Sequence, residues 1–600
     1  MAAVYVPRNT LLSIDSNTRA IVISIGFIVF AISQFFSPPK KITFHSVDAW
    51  WIILIIYTGL STFWALNGGY AIYGMFMTIL FYGCYSVYQY TELKSEENIN
   101  YIFWVAFSSF LFLLLLLAGT LINFIAADNL SGIAKSRYAN IIFQNSNVII
   151  SILLLLAPYV AFTDKKLHKA FIPVVFIVTS IVVFTIQPMK AVLVLSFIAL
   201  IYLLFNAKLN QINKYLILGF SIGILIFGLV YAPINKIALA CKTKYTKEVV
   251  DQKERIKLWC NSMDQAKASP IFGHGKNNWE LEIGKYGYID KELGIPTIYP
   301  KSFKHSYNVV SQLFLELGII GIIAFLYIAI LPCFRLINER SILAKLEVAA
   351  LVSVTIFFLL GLFYGEPLTY FKSLQGPSIM AIIGLSIISS NSNQSTVLFT
   401  IPSKIQSLVL LLGAVLSIIY FSRINHAENL QAQAITANFN RDYLTSEKLA
   451  TSALAIIPES KSYHILFQSL LLQQKNEDAN RIIVEAFVRD PYDLAILYLY
   501  GEQFLKVEDF KNARLISNKI QKIAPQYLYG KILEGKCDLL EKPTSANYQK
   551  LIQIKNDLHN FSNPESQEEF VSPLLYPGNV LVEISRFLND HKSKVYKHIQ

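Results

Sequence analysis

His305, Asn308, Gln312 and Glu316 follow one another at steps of three, four and four, a spacing that stacks side chains on one face of a helix. The run from 308 to 331 is otherwise apolar, and polar groups at the mouth of an apolar span are expensive to keep. An imidazole moves protons near neutral pH, so His305 at the loop edge points to chemistry at a membrane surface. Asn308 and Gln312 have a second open role, as hydrogen-bonding links between neighbouring helices.

The elements that would position these groups are membrane spans. Hydrophobic residues fill 54% of the 600 positions and charged ones 15%, well below the roughly one quarter usual for soluble chains. The deficit lies in charge-free runs at 20–36, 49–66, 71–90, 101–126, 141–162, 170–189, 191–205, 215–232, 308–331, 348–364, 374–388 and 405–421, with Glu316 the one Asp, Glu, Lys, Arg or His inside any of them. Each approaches the roughly 20 residues that cross a bilayer core. The expected fold is therefore all-α, a polytopic membrane protein of about twelve helices. The first run is a span and not a cleavable signal, because Ser-Pro-Pro-Lys-Lys at 37–41 follows it in place of a small-residue cleavage site.

Lys165, Lys166 and Lys169, Lys208 and Lys214, and Arg335, Arg340 and Lys345 cluster in three short loops, which the positive-inside rule assigns to the cytoplasm. The 233–307 loop, the 365–373 loop and the tail beyond 421 then lie outside. Twelve spans put the N-terminus outside as well, against the positive charge of Arg8 and Arg19. Net charge is +12, and residues 236–304 alone carry thirteen Lys/Arg against eight Asp/Glu. That balance suits an anionic headgroup or pyrophosphate at the membrane surface, and nucleic acid is not expected outside the cytoplasm. Cys241 and Cys260 share that loop and are open to either pairing or free thiols.

Past Arg423 the chain turns polar. Pro458, Pro491 and Pro525 recur at 33 and 34 residues, as do Ser446, Ala479 and Ala513. This period resembles that of tetratricopeptide repeats, helical hairpins that stack into a docking surface. The expected domains are a transmembrane one over 1–422, including the outer loop 233–307, and a helical-repeat one over 423–600.

Further polar residues sit in outer-side segments: Arg137 with Gln144 and Asn147, the Gln187-Pro188-Met189-Lys190 turn, and Glu366-Pro367-Leu368-Thr369-Tyr370. The stretch Arg255…Trp259…Ala266…Pro270…Gly273-x-Gly275, followed by His305…Asn308…Gln312…Glu316-x-Gly318, resembles the membrane-embedded superfamily of O-antigen ligases, O-antigen polymerases and protein O-oligosaccharyltransferases. Glu366-Pro367-Leu368-x-Tyr370 and the soluble C-terminal extension are similar to features of its protein O-oligosaccharyltransferase branch.

The resemblance implies transfer of an oligosaccharide from undecaprenyl pyrophosphate to a Ser or Thr hydroxyl of an acceptor protein, with a pilin-like protein one candidate, at the periplasmic face of a bacterial inner membrane. O-antigen ligase activity toward lipid A core, and O-antigen polymerisation, stand as alternatives. His305 is the expected catalytic base. Arg255, Lys190 and Arg137 are the expected pyrophosphate-binding cations, each with a solvated loop charge as its plainer role. Gln144, Asn147, Asn308, Gln312, Glu316, Glu366 and Tyr370 are expected to support the polar site.

Three departures from the family pattern matter. Lys190 stands where Arg is usual, Tyr307 replaces a second histidine, and Ser146 replaces a proline in Asn145-Ser146-Asn147. His274, between the two glycines, is a rival base. No phosphate loop, His-Glu-x-x-His helix or Cys-x-x-Cys pair is present, and no metal or cofactor is expected. A rival of another class is a lipid-linked sugar transporter, which would place ionisable or broken-helix features near mid-membrane. An inert membrane anchor for a repeat scaffold is the other rival.

Overall fold

The computed structural model describes residues 16–36, 41–90, 155, 158–159, 258–283, 306, 308–330, 345–363, 376–391, 397–525, 527–561 and 577–597. His305, Arg255, Lys190, Arg137, Gln144, Asn147, Glu366 and Tyr370 lie outside them.

Helices dominate. In the membrane part they are α1 (Ser16–Phe36), α2 (Ser46–Leu60), α3 (Gly68–Tyr90), the single turn α4 (Trp279–Ile283), α5 (Val309–Phe325), α6 (Lys345–Phe363) and α7 (Gly376–Asn391), then the 37-residue α8 (Ser403–Phe439). Among the described residues, five segments are long and apolar enough to cross a bilayer: Asn17–Phe36, Ser46–Phe63, Gly68–Val87, Val309–Ala329 and Ser403–Phe439. They correspond to five of the twelve expected runs. The runs at 348–364 and 374–388 fall in α6 and α7, and the remaining five lie outside the described residues apart from positions 155, 158 and 159. Val22, Ile25, Val29 and Ile32 on α1, and Leu408, Val409, Leu412 and Leu416 on α8, are exposed at helical spacing, as on a face meant for lipid.

Contacts at both ends fix the direction of α1 and α8. The Asn17 amide donates to Glu428 at 3.1 Å, and the Lys404 ammonium stands 5.6 Å from the centre of the Phe35 ring at the other end. The two helices are therefore antiparallel. The start of α1 therefore shares a side with the C-terminal helices. At the opposite end, β1 (Lys41–His45) pairs antiparallel with β2 (Val397–Pro402), with Phe44 stacked on Phe399. Between the ends, α3 and α7 are joined by the Tyr85 hydroxyl donating to Ser389 and the Ser386 hydroxyl donating to the Tyr85 carbonyl.

α8 runs through 422 as one helix, and its pattern changes there: Ile424, Ala427, Gln431, Ala434 and Asn438 form a buried stripe at three- and four-residue steps. The helices α9 (Tyr443–Ile456), α10 (Ser460–Leu472), α11 (Asn476–Arg489), α12 (Leu494–Lys506), α13 (Phe510–Ile523), α14 (Leu528–Glu541), α15 (Ser545–Phe561) and α16 (Pro577–Lys597) follow, each packed on the next. Ser446, Ala479 and Ala513 are fully buried, one each on α9, α11 and α13. The turns entering these helices repeat a left-handed residue, Arg441, Gln474 and Glu508, with φ of 64°, 63° and 57°. After each, a backbone N–H reaches back to close the preceding helix: Asp442 to Ala437, Lys475 to Leu470 and Asp509 to Phe504.

Lys536 on α14 is 2% exposed, donating to Glu502 of α12 at 2.9 Å and to Glu583 of α16 at 2.6 Å. Burial alone would lower its pKa, but the two carboxylates outweigh it and hold the ammonium charged. Lys536→Met leaves Glu502 buried without that partner. It is expected to destabilise this region by about 2–3 kcal/mol, less than a fully buried pair because Glu583 is half exposed. Thermal unfolding followed by circular dichroism checks this.

Candidate functional site

The site is built where the loop helix at 258–266, the segment 267–283 and the first half of α5 meet α2 and α3. α5 is interrupted. Gly318 has φ 61° and ψ −157°, a conformation open to glycine and little else, so the helix loses its ladder there. A span cannot leave freed backbone groups unpaired in hydrocarbon. Here the loop supplies the partners: the N–H groups of His274 and Gly275 donate to the carbonyls of Leu315 and Glu316 at 2.8 and 2.9 Å, and Ile319 N–H donates to the Pro270 carbonyl at 2.9 Å. The Tyr57 hydroxyl of α2 donates to Phe272 O at 2.8 Å and lies 3.3 Å from Leu317 O, tying both chains to a third element.

Such close backbone contact leaves no room for side chains. A Cβ on Gly273 would stand 2.5 Å from the Glu316 carbonyl carbon, and one on Gly318 would collide with the Ile271 carbonyl. The two glycines, 45 residues apart in sequence, are thus two halves of one contact. Ile271 and Phe272 at the tip of the loop remain exposed.

The docked loop brings a lysine that sequence reasoning had not singled out. Lys276 Nζ lies 2.6 Å from Glu316 Oε2, with the Glu316 side chain fully buried and that of Lys276 22% exposed. Gln312 donates to the other carboxylate oxygen at 2.8 Å and accepts from the Ser306 N–H at 3.2 Å. Gln312 and Glu316 therefore do share a helical face. Asn308 sits one residue before α5 as its N-cap, accepting from the Ser311 N–H at 3.0 Å. Its role here is to start the helix.

Asn278, fully buried, locks the loop to the α2–α3 connection: its amide donates to Asn67 O at 3.1 Å, and Asn67 N–H donates back to it at 2.7 Å. The rival base has both ring nitrogens occupied. His274 Nε2 lies 3.1 Å from the Gln265 carbonyl and Nδ1 3.4 Å from Glu282, whose second oxygen accepts from Gln265 at 2.7 Å. This places His274 in the scaffold of the loop.

Beside Lys276 lies a cavity of about 140 Å³ lined mainly by apolar side chains, among them Trp51, Met77, Phe81, Leu313 and Phe325, with Gln312 and Asn277 in its wall. Asn277 also borders a second, polar cavity of about 630 Å³ between α1, α3, α8 and the C-terminal helices. Next to Arg489, which lines that cavity, Asp490 closes α11, accepting from the Ser460 hydroxyl at 2.7 Å. Burial, then the charge of Asp493, raises its pKa to about 7. A carboxyl raised in this way stabilises the fold below the unfolded value near 4, and that contribution is lost as pH rises through about 7. Asp490→Asn, which can still accept from Ser460, is expected to raise the melting temperature at pH 8 and leave it nearly unchanged at pH 4.

Of the expected site residues, Gln312 and Glu316 are brought together, and Asn308 caps the helix that carries them. Lys276, Tyr57, Asn67 and Asn278 were missed, though Lys276 directly follows the second loop glycine. Residues 173–326 match the family described as O-antigen ligase. The matched region takes in Lys190, Arg255, Lys276, His305, Gln312 and Glu316, and it ends just past α5. It supports the resemblance to the wider ligase, polymerase and oligosaccharyltransferase superfamily, and with it a glycan-transfer reaction on a lipid-linked donor in a membrane. No curated protein matches the chain.

Proposed function

Proceeding from this family match, we propose that the chain transfers an oligosaccharide from undecaprenyl pyrophosphate to a Ser or Thr hydroxyl of an acceptor protein, at the periplasmic face of the inner membrane. The observation that carries the reading is the loop docked on the broken α5, which gathers Lys276 of the loop with Gln312 and Glu316 of the helix that follows His305 in sequence. The acceptor oxygen attacks the anomeric carbon, His305 takes the hydroxyl proton, and the bond from that carbon to the pyrophosphate oxygen breaks. The electron pair leaves on the lipid diphosphate. Arg255, with Lys190 and Arg137, neutralises that charge through hydrogen bonds that strengthen as it develops. The apolar cavity beside Lys276 suits the start of the polyprenyl chain.

The C-terminal helices would present the acceptor protein. In support, α9, α11 and α13 begin at 443, 476 and 510 and their partners at 460, 494 and 528, spacings close to those of tetratricopeptide hairpins. The test supplies a lipid-linked glycan together with candidate proteins and lipid A core. Sugar on the protein supports this branch, sugar on lipid A core moves the reading to O-antigen ligase, and a lengthened lipid-linked glycan moves it to polymerase. Truncation after Asn440 should abolish protein modification while membrane insertion persists.

One observation favours the transporter reading: α5 is broken inside an apolar span, as substrate-binding helices of transporters are. Glycan that crosses sealed vesicles without joining any acceptor would establish it.

A further inference from the structure

The polar cavity of about 630 Å³ falls inside the roughly 300–1,000 Å³ range of small-ligand sites. Its wall mixes donors and acceptors. Arg423 and Arg489 offer guanidinium N–H groups, while Glu280, Glu428 and Glu459 offer carboxylates. Three acidic groups against two basic ones disfavour a phosphate and suit a neutral ligand that both donates and accepts. Tyr70, Tyr73 and Tyr420 add aromatic surface of the kind that packs against the C–H faces of sugar rings.

Asn17 is 3% exposed and its amide donates to Glu428 at 3.1 Å, which holds one of these carboxylates in place at the wall. Position supplies the rest. Asn277 borders both this cavity and the apolar one, and the neighbouring residue Lys276 borders the apolar one. A ligand with a lipid in one cavity would therefore extend its hydrophilic end into the other.

We propose that the polar cavity is a carbohydrate subsite that holds the glycan of the lipid-linked donor, with the C-terminal helices supplying one wall through Glu459 and Arg489. This rests on the transfer reading above and adds a selectivity to it: a donor carrying several sugars fills the cavity, and a donor carrying one does not reach it.

The test compares wild type with Glu280→Ala, Arg423→Ala and Asn17→Leu, using lipid-linked oligosaccharide and lipid-linked monosaccharide as alternative donors. The expected result is a KM for the oligosaccharide donor raised at least tenfold, with kcat, the monosaccharide KM and the acceptor KM unchanged. Equal shifts for both donors, a shift confined to the acceptor, or no shift would overturn the proposal. Glu280→Gln, which preserves shape, guards against misfolding and should keep part of the preference. Binding is read separately by saturation-transfer NMR with the free oligosaccharide released by mild acid from the host's lipid-linked pool. Wild type should bind it and Glu280→Ala should bind at least tenfold more weakly. Absence of binding by folded wild type overturns the subsite, whereas absence of transfer with binding intact counts against the transfer reading alone.

Discussion

Gly318→Ala is expected to undo the site while leaving the membrane helices inserted. Alanine at φ 61° and ψ −157° is strained by about 1–3 kcal/mol before any contact is counted. Its methyl group would also overlap the Ile271 carbonyl, and neither backbone has a flexible end that could move aside. The loop would be forced off α5, orphaning the carbonyls of Leu315 and Glu316 and the N–H of Ile319 inside an apolar span. We expect a combined loss of at least about 3 kcal/mol in the stability of the docked loop. Limited proteolysis should then cut within 258–283 where wild type resists, and glycan transfer should fall at least a hundredfold. Gly273→Ala meets the same contact from the other side and should behave alike. The double variant should be little worse than either single, because both break one interface. Wild-type protease resistance in Gly318→Ala would contradict the docking.

Lys276→Met should be the most damaging change of a charged residue in the described membrane part. It strips Glu316, whose side chain is fully buried, of an ammonium at 2.6 Å. Breaking one partner from a buried pair costs about 3–5 kcal/mol, most of it the price of the stranded charge. Lys276→Met combined with Glu316→Met removes both charges and should recover much of that loss. A double-mutant cycle on thermal unfolding in detergent measures the coupling. A value below about 1 kcal/mol would mean that the pair behaves as a solvated surface bridge and that the loop is held by its backbone alone.

How much of this was legible beforehand follows from the physics of each feature. Apolar runs announce themselves because crossing a bilayer demands about 20 uncharged residues, so the helices holding 20–36, 49–66, 71–90, 308–331 and 405–421 were visible in composition. The shared face of Gln312 and Glu316 was visible in spacing. The break at Gly318 was not. A glycine in an apolar helix usually means close packing, and only the partner strand 270–275 shows that this one ends the ladder. Lys276 was hidden for a similar reason: among the thirteen basic residues of that loop, nothing local distinguishes the one that reaches a carboxylate 40 residues away.

His274 shows what residue type alone leaves out: its partners, the Gln265 carbonyl and Glu282, tie it into the fold of the loop and appear only in the structure. Near residue 422 the sequence signals a change from membrane to soluble composition. The backbone runs through it as one helix, since a helix can change the solvent of its exposed face without changing its hydrogen bonds.

The central claim is that this chain moves a glycan from a lipid diphosphate to a hydroxyl, with His305 as base and Arg255 on the departing diphosphate. The most direct measurement is release of undecaprenyl pyrophosphate coupled to acceptor glycosylation, in purified full-length protein reconstituted with lipid-linked oligosaccharide. The account predicts product with wild type, a loss of at least about a hundredfold in kcat for His305→Ala, consistent with the usual contribution of a general base, and a comparable loss for Arg255→Ala. Full turnover in both variants would contradict it.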